Sequence, residues 1–306
     1  MAITASVSFL SPSSSRLFCL QNHNPLSQPL FSLPFHSHAF PTFASPQKRL
    51  KPTAIPQIMT PSAQASNDSA PMLPPYNVLI TGSTKGIGFA LAREFLKAGD
   101  NVIISSRSAE RVESSVESLR REFGKHHVWG TTCDVRKGED VKDLVAFAQE
   151  NLKYIDIWAI KMMLNQPRGG HIFNIDGAGS DGRPTPRFAA YGATKRSVVH
   201  LTKSLQAELQ MQDVKNVVVH NLSPGMVTTD LLMSGATTKQ AKFFINVLAE
   251  PAEVVAEYLV PNIRSIPVNG STKPTYIRFL TGLKAYSQIF SRFAFGARRN
   301  RYLLED

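Results

Sequence analysis

The sequence predicts an α/β fold, doubly wound about a mainly parallel sheet in a single domain, and three observations carry that reading. Short apolar runs of strand type alternate with longer segments whose apolar residues recur every three or four positions. The stretch Tyr76 to Arg107, YNVLITGSTKGIGFALAREFLKAGDNVIISSR, is a complete strand-helix-strand unit with a glycine-rich first turn. Once an atypical leader is set aside, about 240 residues remain, enough for one α/β domain with a sizeable core.

Val78, Leu79 and Ile80 form the first strand, cut by the turn Thr81 to Gly88. Ile87, Ala90, Leu91, Phe95 and Ala98 then repeat at helical spacing up to Gly99, and Val102 to Ile104 supply the second strand. Such a Rossmann-type turn lets backbone N–H groups and a positive helix N-terminus approach a pyrophosphate, with no Cβ in the way at Gly82, Gly86 and Gly88. Ser83, Thr84, Lys85 and Ile87 complete the cofactor loop. An acidic side chain at the end of the second strand would hold ribose hydroxyls but repel a 2′-phosphate; Ser106 stands there instead. Arg107 and Lys85 offer two cations, which selects NADPH over NADH.

Ser108 to Phe123 reads as an exposed amphipathic helix and Val128 to Thr132 as the third strand. Asp134, at its end, is placed either to accept from the adenine amino group or to cap the next turn. Val141, Leu144, Val145 and Ala148 mark a further helix, and Ile155 to Trp158 the fourth strand. Only Ala159 to Gly170 separates it from the fifth, His171 to Ile175. A parallel crossover needs a dozen or more residues and a helix nearly as long as the sheet. Ala159 to Gln166 supplies about two turns, roughly 12 Å at 1.5 Å per residue. The crossover between the fourth and fifth strands therefore reads as truncated.

Beyond the fifth strand comes Gly177 to Gly182, at the carboxyl edge where open α/β sheets bind ligands. Tyr191 and Lys195, four apart on one face of the next helix, form an acid-base pair in which the ammonium is expected to lower the phenol pKa and to hold ribose hydroxyls. Ser180 is the nearest hydroxyl after the strand, giving a candidate catalytic set of Tyr191, Lys195 and Ser180.

With these motifs in place the chain resembles the short-chain dehydrogenase/reductase family over nearly all of residues 74 to 265. TGSTKGIG matches the family's cofactor loop, YGATK its Tyr-x-x-x-Lys, and Ser223-Pro224-Gly225-Met226-Val227-Thr228 its nicotinamide-side loop. The resemblance implies that Tyr191 donates a proton, that Pro224, Gly225 and Val227 line the cofactor, and that Thr228 meets the carboxamide. Within the family, HIFNIDGAGSDGRPTPRFAAYGATKRSVVHLTKSLQAELQ is similar to the branch of plant chlorophyll(ide) b reductases, which implies a large apolar pigment as substrate. The family serine stands right after the strand, where this chain has Asp176 and Gly177. Its Asn-Asn-Ala-Gly after the fourth strand is missing, with most of the following helix and the asparagine usually counted in the catalytic tetrad. By the same resemblance that helix builds a dimer face, so a gap of roughly forty residues at Trp158-Ala159 also touches pairing with a homologous reductase subunit.

Residues 1 to 65 are rich in Ser, Pro, Phe and Leu; they hold Arg16, Lys48, Arg49 and Lys51 and no acidic residue. That composition fits a plastid transit peptide better than a secretory signal, and places the mature chain in the stroma or on the stromal face of the thylakoid. The formal charge is +11, or +7 without the four leader cations, which suits an acidic cofactor and an anionic membrane surface; no nucleic-acid module is present. Two cysteines, Cys19 and Cys133, exclude a disulfide framework and a cysteine metal site. Thr237 to Leu248 reads as an apolar lid over the substrate, with a core helix as the alternative. Residues 271 to 306 read as a basic amphipathic extension beyond a domain of residues 74 to 270, with Tyr286, Ile289, Phe290, Phe293 and Ala297 on one helical face.

Overall fold

The computed structural model describes residues 71–156, 163, 166 and 168–305. The leader, the Trp158-Ala159 junction and most of the segment Ala159 to Gln166 lie outside the described residues. The chain runs β1 (Asn77–Thr81), α1 (Gly86–Lys97), β2 (Asn101–Ser106), α2 (Ala109–Phe123), β3 (Val128–Thr132), α3 (Gly138–Leu152) and β4 (Gly170–Ile175). It continues with α4 (Ala189–Met211), β5 (Val217–Ser223), α5 (Asp230–Ser234), α6 (Lys239–Leu248), α7 (Ala252–Val268), β6 (Tyr276–Arg278) and α8 (Gly282–Phe295). All described strand pairs are parallel, in the orders β1-β2-β3 and β4-β5-β6.

The fourth strand expected at Ile155 to Trp158 falls half outside the described residues, but Asp156 shows how the two groups of strands meet. Its N–H donates to the Asn77 carbonyl at 2.9 Å, and the Asp156 carbonyl accepts from the N–H of His171 at 2.7 Å. Asp156 thus stands between the leading ends of β1 and β4. Its carboxylate accepts from the Asn77 N–H at 2.8 Å and faces Arg168 at 3.4 Å.

Side chains alternate across the strands, so each apolar run feeds two cores. Val78, Val102 and Ile104 pack with Leu91, Phe95, Val255, Leu259 and Ile263 of α1 and α7. Leu79, Ile103, Ile172 and Val219 pack on the opposite face with Leu144 and Ala148 of α3 and Leu205 and Leu209 of α4. This double winding is the predicted architecture.

The carboxyl-terminal boundary needs correction. β6 lies beyond residue 270 yet pairs with β5 through Asn221↔Tyr276, Leu222↔Ile277 and Ser223↔Arg278, so the domain does not end before residue 271. The tail also docks back. Asn246 of α6 donates to the Leu303 carbonyl at 2.7 Å and accepts from the N–H groups of Tyr302 and Leu303. Arg298 and Arg301 reach the two oxygens of Glu250 at 2.8 and 2.9 Å, and Arg292 pairs with Glu305. α6 is correspondingly a packed element and not a free lid: Ile245, Asn246 and Val247 are buried, and the Phe243 ring lies 5.8 Å from Phe293 of α8.

α8 itself is turned inside out. Tyr286, Phe290 and Phe293 are exposed together with Leu283, while Lys284, Gln288, Ile289 and Arg292 face the domain, so the expected apolar face is split.

At the amino end of the sheet a buried Asp100 accepts from the Tyr76 N–H at 2.9 Å and pairs with Arg264 of α7 at 2.9 Å. Burial pushes this carboxyl up to about 6 against the opposing pull of the Tyr76 N–H and the guanidinium. Removing the cation leaves a buried carboxylate with one partner fewer. Arg264→Ala is therefore expected to cost about 3 kcal/mol, read as a lower urea midpoint; a loss under about 1 kcal/mol would show the pair to be dispensable.

Candidate active site

The cofactor loop joins β1 to α1 as the sequence predicts. Gly86 has φ +57°, and a Cβ on Gly88 would lie 2.5 Å from the Gly82 carbonyl oxygen and 2.9 Å from the Ser83 Cα, so the first turn of α1 is pressed onto the loop. No side chain caps α1 at Lys85, which leaves its leading N–H groups to a ligand. Ser83 is fully buried and structural: its hydroxyl donates to the Ile80 carbonyl at 2.6 Å and accepts from the Ser105 N–H at 3.0 Å. It ties the loop to β2 and has no free face for a cofactor.

Ser106 and Arg107 end β2 at the same edge, Ser106 half-buried and Arg107 exposed. Lys85 pairs with Asp230 at 3.0 Å, both exposed, and Thr229 lies against Gly86. The start of α5 therefore rests on the cofactor loop. Asp134 is held by Arg136, which keeps its carboxyl well below the usual range, and that pairing competes with an adenine amino group. The nicotinamide-side loop is pinned from behind. The N–H of Thr228 donates to the Glu250 carbonyl at 2.9 Å, its hydroxyl points to the same oxygen at 3.4 Å, and Glu250 N–H donates to Met226 at 3.0 Å. Val227 is buried, and Gly225, at φ +72°, lies against the Leu280 side chain. Glu250 is in turn clamped by Arg298 and Arg301, so the tail braces the loop that carries Val227 and Thr228.

Tyr191 and Lys195 share a face of α4 beside the end of β4. The Lys195 ammonium lies 5.7 Å from the Tyr191 ring centroid and donates to the Ile175 carbonyl at 3.2 Å. The Tyr191 hydroxyl sits against Gly177, where any side chain would collide with it. The expected lowering of the Tyr191 pKa is not what this geometry gives. Burial, and then the charge of Asp176, push the phenol up; burial pulls Lys195 down, with Asp176 opposing.

Ser180 is also brought to the site, but its hydroxyl donates to Asp176 Oδ2 at 3.0 Å. The Tyr276 hydroxyl, from β6, donates to the same oxygen. Asp176, Tyr276 and Glu250 were not among the sequence candidates. Only Asp176 had a local signal, its place directly after the strand; the other two come to the site through pairing distant in sequence.

An acid-base pair of half-buried Tyr191 and buried Lys195 beside a glycine-rich helix start is the equipment for moving a proton next to a bound dinucleotide. The model of the short chain dehydrogenase family matches this chain in two pieces, residues 76–160 and 157–240. An Arabidopsis thaliana protein named chlorophyll(ide) b reductase NOL, chloroplastic, is 69% identical over 293 residues, covering 83% of this chain and 84% of that protein. Its Oryza sativa counterpart is 71% identical over 276 residues, covering 78% and 80%. The Arabidopsis alignment runs over 293 positions yet spans 83% of the 306 residues here, about 254, so about 39 aligned positions have no counterpart. Among solved structures, an actinorhodin polyketide ketoreductase with NADPH shares the fold at a TM-score of 0.55 and 23% identity, over 68% of this chain and 97% of that one. A Gluconobacter frateurii L-sorbose reductase does so at 0.52 and 19%, over 66% and 95%. Fold, cofactor loop, Tyr-x-x-x-Lys pair and family match together make the chain a member of the short-chain dehydrogenase/reductase family.

Proposed function

We propose that this chain is built on the plan of an NADPH-dependent carbonyl reductase whose substrate is the C7 formyl group of chlorophyll(ide) b, converted to hydroxymethyl. The observation that carries the reading is the identity of 69% and 71% to two proteins bearing that name, over about four fifths of each. The site agrees with it. Gly88 lets the first turn of α1 press onto the loop, the α1 N-terminus has no side-chain cap, and no carboxylate at the end of β2 repels a 2′-phosphate beside Arg107. A bound reduced dinucleotide would supply the hydride. Tyr191 gives its proton to the developing alkoxide, Lys195 stabilises the phenolate left behind, and Pro224 to Thr228 wall the nicotinamide side.

The two family matches meet at residues 157–160, and about 39 aligned positions are lacking. Both support the reading that an internal segment is missing there. This favours a second possibility, that the chain as it stands is a non-catalytic partner of an intact homologue. Incubation with NADPH and chlorophyllide b, chlorophyll b or a 3-oxoacyl conjugate, followed by product chromatography, tests the substrate. Hydroxymethyl product from the pigment supports it; turnover of the acyl conjugate alone would replace it with another plastid reductase.

The relatives' names place the reading in the chloroplast, and the finer position we propose is the stromal face of the thylakoid. No described helix is long and apolar enough to cross a membrane. The outward face of α8 carries Leu283, Tyr286, Phe290 and Phe293, and residues 258–304 contain no acidic residue. Arg292, Arg298 and Arg301 are taken up by Glu305 and Glu250, so the exposed aromatic stripe itself is what would meet a lipid surface, with Arg299 exposed beside it. Replacing Tyr286, Phe290 and Phe293 together by Ser is expected to reduce flotation with phosphatidylglycerol vesicles at least fivefold; unchanged flotation would sink this placement.

A further inference from the structure

The carboxylate that follows β4 has no part in the mechanism above, yet it organises the site. Asp176 is 4% exposed, its N–H donates to the Leu222 carbonyl at 2.8 Å, and its Oδ1 is buried with no hydrogen-bond partner. A buried carboxylate oxygen without a partner costs free energy, and such groups persist where the surrounding structure holds them for a purpose. Its other oxygen collects two hydroxyl donors from different parts of the chain, Ser180 four residues on and Tyr276 a hundred residues on. The third hydroxyl, that of Tyr191, packs against Gly177, the residue next to Asp176, and has no hydrogen bond among the described residues.

We propose that Asp176 is a positioning residue of the reductase site: it binds the Ser180 and Tyr276 hydroxyls to itself and so leaves Tyr191 as the one hydroxyl of the three free to donate to a carbonyl oxygen. This assignment rests on the reductase reading of the site. The charged groups facing Tyr191 are Asp176 from the end of β4 and Lys195 from its own helix. Tyr276, on β6, carries the Arg278 guanidinium 4.0 Å from its ring centroid, and Arg196 holds the Ser180 carbonyl at 3.0 Å. With burial, the Asp176 charge opposes loss of the Tyr191 proton, which keeps the phenol in its donor form.

The test is the titration of Tyr191 itself, followed by the ¹³Cζ tyrosine resonance in the full chain without substrate, with Tyr191→Phe assigning the signal. Asp176→Asn is expected to lower the midpoint by about one unit, and Asp176→Glu to keep it near the parent value. Tyr276→Phe strips one donor from the carboxylate and is expected to leave the midpoint unchanged or raise it. An unchanged midpoint in Asp176→Asn, in protein that melts cooperatively, overturns the assignment, as does a fall in Tyr276→Phe. Because the signal is read without pigment, failure here leaves the substrate reading intact, and absence of pigment turnover leaves this result intact.

Discussion

Inserting, at residues 157–160, the segment proposed above to be missing from this chain is expected to raise chlorophyllide b reduction at least a hundredfold over the 306-residue chain. Residues 153–169 alone connect α3 to β4. In a doubly wound sheet that connection has to close a strand and cross one face with a helix nearly as long as the sheet. The relatives carry about 39 more positions in the alignment, enough for both. Losing even about 400 Å² of apolar burial costs on the order of 10 kcal/mol at about 25 cal/mol per Å², comparable to the whole stability of a domain. NADPH fluorescence titration and product chromatography on both chains check this. If the 306-residue chain binds NADPH and turns over pigment as well as the restored chain, the segment is dispensable and the partner reading falls with it.

Tyr191→Phe in the restored chain is expected to lower kcat by about 10²- to 10⁴-fold, the usual range for a positioned acid, while leaving the melting temperature within a degree or two. The two effects separate because the hydroxyl makes no hydrogen bond among the described residues, whereas the ring keeps its packing over Gly177 and Lys195. Ser180→Ala should be milder, since that hydroxyl is already engaged by Asp176. A Tyr191→Phe enzyme that reduces the pigment at the parental rate would transfer the acid role to another group, with Tyr276 the nearest phenol on Asp176.

Much of the fold was legible because it is local. Val78 to Ile80, Val102 to Ile104 and Val128 to Thr132 are strands wherever they pack, since β-branched runs between glycine turns have few alternatives. The 3.6-residue repeat of α1 and α4 likewise fixes which sides face the sheet, and with it the common face of Tyr191 and Lys195. The glycines of the cofactor loop declare a close backbone approach before any ligand is considered.

What the sequence could not show is where charges and donors meet. Asp176 was visible as a residue out of place after a strand, but its hold on Ser180 and Tyr276 needed β5 and β6 to bring position 276 to the end of β4. The direction of the Tyr191 shift depends on the same assembly: spacing puts an ammonium nearby, while burial and a carboxylate from another element decide the sign. The arginines of the tail read as a free cationic surface, yet Arg292, Arg298 and Arg301 are bound to Glu305 and Glu250. Sequence by itself determined the elements, the cofactor cradle and the acid-base pair, because each is written within one strand, turn or helix. Tertiary structure alone decided which hydroxyl is free and which cations are spent, because electrostatics is settled by neighbours in space.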